Sequence, residues 1–187
     1  MTLHCDRHLV EVDLRSVPAY RFDVVVVGTG VAGAAAALAS ANEGKSVAVV
    51  TKSDISTSNT NMAQGGMAAV MTNGDSFESH IEDTIHVGKG LCCPDVVRRV
   101  VEGGPSAVEE LLTLGAEFDR TPSDSLDCSR EGGHNHPRVV HAHGDATGRE
   151  MQRVLTNALT GHDLITTFPH TFALDIVTAD QEAYGVV

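Results

Sequence analysis

The strongest hydrophobic signal is the run of four valines, Val24 to Val27, apolar on both faces of any strand it forms. Such a run predicts a central parallel strand covered above and below. A glycine-rich turn follows, then the alanine run Ala34 to Ala37, a strong helix former without side-chain bulk. The segment Ser46-Val-Ala-Val-Val-Thr-Lys52 predicts the second strand of the unit. Ser53 to Gly66 is polar and rich in Ser, Thr and Asn, and reads either as a ligand-facing loop or as a surface loop. Asp75 with Glu78 predicts a capping box opening a helix through about His86, which Gly88 to Gly90 would end. Pro94 and Pro105 suit the first positions of two further short helices, the second carrying Val108, Leu111, Leu112 and Leu114 before Gly115. Thr147-x-x-Glu150 predicts another capping box and a helix through Leu159, stopped at Gly161. Leu164 to Phe168 and Thr171 to Thr178 read as β, with a hairpin around Asp180 leading into Tyr184-Gly-Val-Val187. Ahead of the valines, Arg7 to Leu14 alternates loosely towards Pro18 and suggests an N-terminal arm over residues 1–20.

Between the first strand and helix, Gly28, Gly30 and Gly33 form G-x-G-x-x-G. The first glycine allows a tight turn, the second lets backbone approach a pyrophosphate, and the third lets helix and strand pack closely. Strand, turn, helix and second strand together predict an α/β, Rossmann-like dinucleotide-binding domain over residues 1–187, with a parallel central sheet, flanking helices and a small β-meander. No repeat or low-complexity linker divides it. The end of the second strand usually carries an acid for the adenosine ribose, yet Lys52 stands there, with Asp54 beyond it. A lysine there suits the 2′-phosphate of NADP, or a flavin family with its own ribose contacts.

Lys+Arg 13 against Asp+Glu 25 leaves a net charge of −12, which argues against nucleic acid or an anionic membrane as partner. An anionic ligand must therefore be held locally by helix N-termini, backbone amides and a few cations. The apolar runs are strand-length or interrupted, and no basic-then-apolar leader is present, so the chain reads as cytoplasmic. Cys5, Cys92, Cys93 and Cys128 show neither C-x-x-C spacing nor a disulfide framework, in keeping with a reducing compartment. The adjacent Cys92 and Cys93 read as packing residues.

The one dense polar constellation is Arg130-Glu-Gly-Gly-His-Asn-His-Pro-Arg-Val-Val-His-Ala-His-Gly-Asp145. His134, His136, His141 and His143 invite a metal reading, but they lack cysteine partners and the helical H-E-x-x-H arrangement, so no metal is expected. The stretch reads either as a loop and strand of hydrogen-bonded imidazoles or as an active-site wall that presents charge and protons to a small polar substrate. Glu131 alone would be a solvated loop glutamate paired with Arg130 or Arg138.

Taken together, the chain resembles the N-terminal flavin domain of the L-aspartate oxidases, within the wider succinate dehydrogenase and fumarate reductase flavoprotein group. The resemblance rests on Gly28-Thr-Gly-Val-Ala-Gly33, Thr60-Asn-Met-Ala-Gln-Gly-Gly-Met-Ala-Ala-Val70, His80-x-Glu-Asp-Thr84, Arg130-Glu-Gly-Gly-His134 and His141-Ala-His-Gly-Asp-Ala-Thr-Gly-Arg-Glu150. It implies that FAD takes a hydride from L-aspartate to give iminoaspartate, with oxygen or fumarate as electron acceptor, in the first step of de novo NAD biosynthesis. It implies FAD contacts at Gly28, Thr29, Gly30, Val31, Ala32 and Gly33, at Lys52, and along Asn59, Thr60, Asn61, Met62, Ala63, Gln64, Gly65 and Gly66. Membrane-bound relatives carry covalent FAD on a histidine where this chain has Asn59, so attachment is expected to be noncovalent. Glu131 falls on the family's substrate-orienting position. Family members continue into a capping domain and a returning flavin segment that grip the substrate carboxylates; the chain is thus expected to stop before those groups and to lack full activity alone. The alternatives are a soluble fumarate reductase or succinate dehydrogenase flavoprotein and, from another class, a non-catalytic dinucleotide-binding module.

Overall fold

A computed structural model describes residues 18–187, so the N-terminal arm reading lies almost wholly outside the described residues. The chain runs β1 (Val24–Val27), α1 (Val31–Asn42), β2 (Val47–Val50), a 3-10 turn (Thr60–Met62), β3 (Met67–Ala68), α2 (Phe77–Gly88) and α3 (Pro94–Thr113). It continues through β4 (Cys128–Ser129), β5 (Val139–Val140), α4 (Thr147–Thr160), β6 (Ile165–Phe168), β7 (Ile176–Ala179) and β8 (Glu182–Val186). Two compact units emerge: residues 18–58 with Thr156–Val187, and Asn59–Leu155.

The first unit holds a parallel sheet in the order β1-β2-β6, with Val24 opposite Val47 and Val47 opposite Ile165. The strand covered on both faces is β2, whose Val47, Ala48 and Val49 are buried. The four valines were expected to hold that central place, and this is a correction. Among the described residues β1 pairs only with β2, and Val25 and Val27 are 41% and 56% exposed. An all-apolar strand needs cover on both faces, and the described residues cover only the face of Val24 and Val26. Helix α1 lies on this sheet through Ala34, Ala37, Leu38 and Ala41, a stripe at helical spacing whose small side chains let the backbone come close. Strands β7 and β8 form an antiparallel hairpin whose turn residues Asp180 and Gln181 both take left-handed φ (48° and 67°), the geometry that matches strand twist. Thr171 to Asp175, expected as strand, is irregular.

In the second unit α2 packs on α3, and three very short strands pair in the order β3-β5-β4, with Val139 and Val140 fully in the core. Three local expectations are corrected here. Ser76, not Asp75, caps α2 by accepting the Ser79 N–H (3.1 Å), because the Asp75 carboxylate is turned to Arg138. Pro94 starts α3 as predicted, but Pro105 lies inside the same helix rather than starting another. A proline mid-helix costs about 3 kcal/mol; the buried stripe Val101, Val108 and Leu111 runs across it, and splitting the helix would break that stripe. Thr147 and Glu150 do not form a capping box. The Thr147 hydroxyl accepts the Ala142 N–H (3.2 Å) and the Glu150 carboxylate accepts the Glu117 N–H (2.7 Å), so both serve other segments.

Candidate functional site

The glycine turn of the first unit has the geometry its sequence predicts. Gly28 takes φ 105°, and its N–H donates to the Val50 carbonyl (2.8 Å), tying the turn to β2. Thr29 is buried, and Gly30 caps α1 in extended conformation with no side-chain bond to the first turn. Val31 and Ala32, both exposed, open a helix whose own first turn holds no acid to offset its N-terminal field. At Gly33 a Cβ atom would run into the Gly28 carbonyl oxygen and crowd Val26 Cγ1 (3.3 Å), which is the close strand–helix approach expected of the third glycine. Lys52 is exposed just past β2, while Asp54 pairs with His170 (3.1 Å).

The second unit holds the loop Asn59 to Gly66. Asn59 precedes the 3-10 turn Thr60–Met62, closed by Met62 N–H to Asn59 O (3.2 Å) and Ala63 N–H to Thr60 O (3.1 Å). Asn61, Met62, Ala63, Gln64 and Gly65 are exposed, and Met62 is 78% so. The Ala63 carbonyl accepts the Gly148 N–H (3.0 Å), which pins the loop to the start of α4. A 310 Å³ cavity lies against Asn61, Met62, Ala63 and Gln64, with Asp145, Ala146 and Arg149 from the α4 end completing its wall. Arg149 was not singled out from sequence as a site residue; its place one turn into a predicted helix, inside a motif already noted, was the available signal. Gly66 closes the loop tightly, since a Cβ there would meet Val139 Cγ1, the Val140 carbonyl and His141 Cε1.

Glu131 lies on an exposed turn whose carbonyl accepts the His134 N–H (3.2 Å). Its carboxylate pairs with neither Arg130 nor Arg138: Oε1 sits 2.9 Å from His141 Nε2, and the side chain is half exposed. Arg138 is instead buried, donating to Asp75 (2.7 and 2.8 Å), Asp83 (2.7 Å), Ser79 (3.1 Å) and Asn135 (3.0 Å). Burial would raise both aspartates, but the hydrogen bonds from Arg138 and from the Ser76 and Asn135 N–H groups outweigh it and hold them below the ordinary carboxylate value. This network was missed from sequence because its members are far apart along the chain and no spacing links them.

The four histidines point to different neighbours. His134 packs edge-on to His80 (centroids 5.5 Å) and its Nδ1 lies 3.3 Å from Arg138; His136 bonds Asn135 (2.8 Å). His143 adopts φ 51° and gives its backbone N–H to Asp119 (2.9 Å). Of the four rings, only that of His141 bonds the Glu131 carboxylate. Among the described residues no three His, Cys, Asp or Glu side chains come together as a metal site. Cys92, Cys93 and Cys128 are free thiols, and Cys92 packs against Gly88 with its Sγ towards the Thr84 carbonyl (3.7 Å), a packing role. No helix among the described residues is long and apolar enough to cross a membrane.

A left-handed glycine turn feeding a helix whose first turn holds no acid fits a pyrophosphate, and the exposed residues Asn61 to Gly65 suit approach by a planar ring system. The chain is 47% identical to the chloroplastic L-aspartate oxidase of Oryza sativa over 169 residues, covering 88% of this chain and 26% of the relative. It is 46% identical to the L-aspartate oxidase of Streptomyces coelicolor, covering 88% of this chain and 28% of the relative. Among solved structures it superposes on Sdh1 of Mycobacterium smegmatis with TM-score 0.84 and 35% identity, covering 88% of this chain and 30% of that one. The Escherichia coli quinol fumarate reductase FrdA gives TM-score 0.84 and 36% identity, covering 89% of this chain and 29% of that one. The chain thus spans about a quarter of the length of the curated relatives it matches. Residues 23–187 match the FAD binding domain family, and the chain belongs to that family, with FAD as its cofactor.

Proposed function

We propose that residues 1–187 are the N-terminal portion of the FAD-binding domain of an L-aspartate oxidase, acting in the oxidation of L-aspartate to iminoaspartate at the start of NAD biosynthesis. The observation that carries this reading is identity of 46–48% to L-aspartate oxidases from plants and Streptomyces, against 35–36% to the Sdh1 and fumarate reductase structures. When bound, FAD supplies a two-electron acceptor for a hydride leaving the α-carbon. The residues of this chain bind and orient. Gly28 to Gly33 shape the turn that receives the pyrophosphate, which Thr29 to Ala32 and the α1 N-terminus face; Lys52 meets the adenosine side, and Asn59 to Gly66 flank the flavin. Asn59 offers no imidazole for attachment, so FAD is held noncovalently.

Glu131 orients the substrate. L-aspartate differs from succinate by an α-ammonium, and a carboxylate facing it gains a charge-assisted hydrogen bond while repelling a purely dianionic ligand. The exposure of Glu131 supports this role, since half its side chain is available to a ligand. Oxygen or fumarate takes the electrons, and the free thiols suit a reducing, cytoplasmic setting.

Two measurements test the reading. Acid precipitation of the FAD-loaded chain releases the yellow colour into the supernatant; flavin retained by the pellet contradicts noncovalent binding. In a complete L-aspartate oxidase carrying this chain in place of its own corresponding domain, Glu131→Gln lowers aspartate kcat/KM by the equivalent of about 1–3 kcal/mol, the cost of a charged group left unpaired. Fumarate reduction is largely spared. Equal losses for both substrates contradict the assigned role.

A further inference from the structure

His141 is the residue that ties the loop Asn59 to Gly66 to Glu131 within the second unit. Its ring is mostly buried, with 18% of the side chain exposed. Two groups converge on Nε2: Glu131 Oε1 at 2.9 Å and Ser129 Oγ at 3.1 Å. Nδ1 is buried and has no hydrogen-bond partner among the described residues. On the side of Cε1 the backbone of Gly66 approaches so closely that a Cβ there would lie 2.7 Å from that ring atom. The His141 backbone is fixed as well, its carbonyl accepting the Asp119 N–H (2.8 Å).

The unpartnered nitrogen selects the tautomer. A proton on Nδ1 would be a buried donor with nothing to accept it, and Nε2 would then turn a lone pair towards a carboxylate. With the proton on Nε2, the ring donates to Glu131 and leaves at Nδ1 only a bare lone pair, the cheaper group to bury unpaired. The ring cannot swing away from Glu131 towards the loop, because Gly66 occupies that side. Glu131 is thereby held through Oε1, while its side chain stays half exposed and only Oε1 is engaged by a described residue.

We propose that His141 is the positioning residue for Glu131, its Nε2–H holding one carboxylate oxygen so that the other meets the substrate ammonium. The proposal rests on the substrate-orienting reading of Glu131. It also assigns Gly66 a second purpose, since any side chain there would displace the ring that fixes the glutamate.

The test has two arms. In the 187-residue chain with 15N-labelled histidine, NMR of His141 should show a protonated Nε2 and an unprotonated Nδ1, and Glu131→Gln should shift the Nε2 resonance. A proton on Nδ1 would overturn the proposal. In the domain-replaced oxidase, His141→Phe keeps the ring shape without the donor and should lower aspartate kcat/KM by about tenfold, the lower part of what an unpaired charged group costs. Fumarate reduction should stay within about twofold, and His141→Gln, which returns an N–H donor to the position of Nε2, should recover most of the aspartate activity. Equal loss for both substrates, or failure of His141→Gln to recover activity, would show a merely structural ring and overturn the proposal. Loss with Glu131→Gln but full activity with His141→Phe would overturn the proposal alone. Full aspartate activity with Glu131→Gln would instead overturn the reading beneath it.

Discussion

A methyl group at position 33 would collide with the carbonyl oxygen of Gly28, so the geometry of the turn depends on a single missing atom. Gly33→Ala should therefore push α1 off β1 or open the turn, at a cost of about 1–3 kcal/mol for overpacking. FAD titration followed by flavin fluorescence checks this: the variant should bind markedly more weakly than the wild type, and equal affinity would contradict the pyrophosphate role of the turn. Gly28 and Gly33 were legible because each carries a backbone requirement that sequence spacing alone exposes. The partner of Glu131 was not. Arg130 and Arg138 are its nearest cations in sequence, but Arg138 is drawn away by two aspartates more than fifty positions distant, and His141 reaches the glutamate through strand pairing of β4 with β5. Contacts set by tertiary structure leave no local pattern to read.

At the scale of elements, apolar runs located the three parallel strands, and an alanine run with start and stop signals located α1, α2 and α4, whereas α3 was read as two helices; local rules failed where a residue serves a distant segment. Asp75 and Thr147 look like caps in sequence and in the structure satisfy Arg138 and Ala142. Pro105 looks like a helix start, yet a continuous buried stripe overrides it. The valines of β1 look central, and the order β1-β2-β6 places β2 there. The Arg138 network makes the clearest stability prediction at this level. Arg138→Met leaves Asp75 fully buried and Asp83 largely so without their cation, and breaking a buried pair from one side costs about 3–5 kcal/mol. Urea denaturation should register that loss. A change below about 1 kcal/mol would mean that the two aspartates find other partners.

For the whole molecule, acid sensitivity follows from groups of one direction. Arg153 hydrogen bonds lower Glu150, and Asp75 and Asp83 are lowered as well, so each contributes stability that is present above the ordinary value (4.5 for Glu, 3.8 for Asp) and lost as pH falls through the folded value. His80 is lowered by burial, then by Arg138 and His134. Below its ordinary 6.5 the unfolded chain takes up a proton that the folded chain resists, so stability falls with pH here too. Melting temperature should be level above about pH 6.5, decline below it, and drop steeply in the carboxylate range; His80→Gln should remove the first decline only. Residues 1–187 correspond to only 24–29% of the curated relatives' length, so these residues by themselves, FAD-loaded and mixed anaerobically with L-aspartate, should keep the flavin oxidised. The most direct test of the account uses the domain-replaced oxidase under the same anaerobic conditions. L-aspartate should bleach the flavin absorbance and succinate should not; bleaching by succinate as readily as by L-aspartate, or none by L-aspartate, would contradict an aspartate-oxidising assignment.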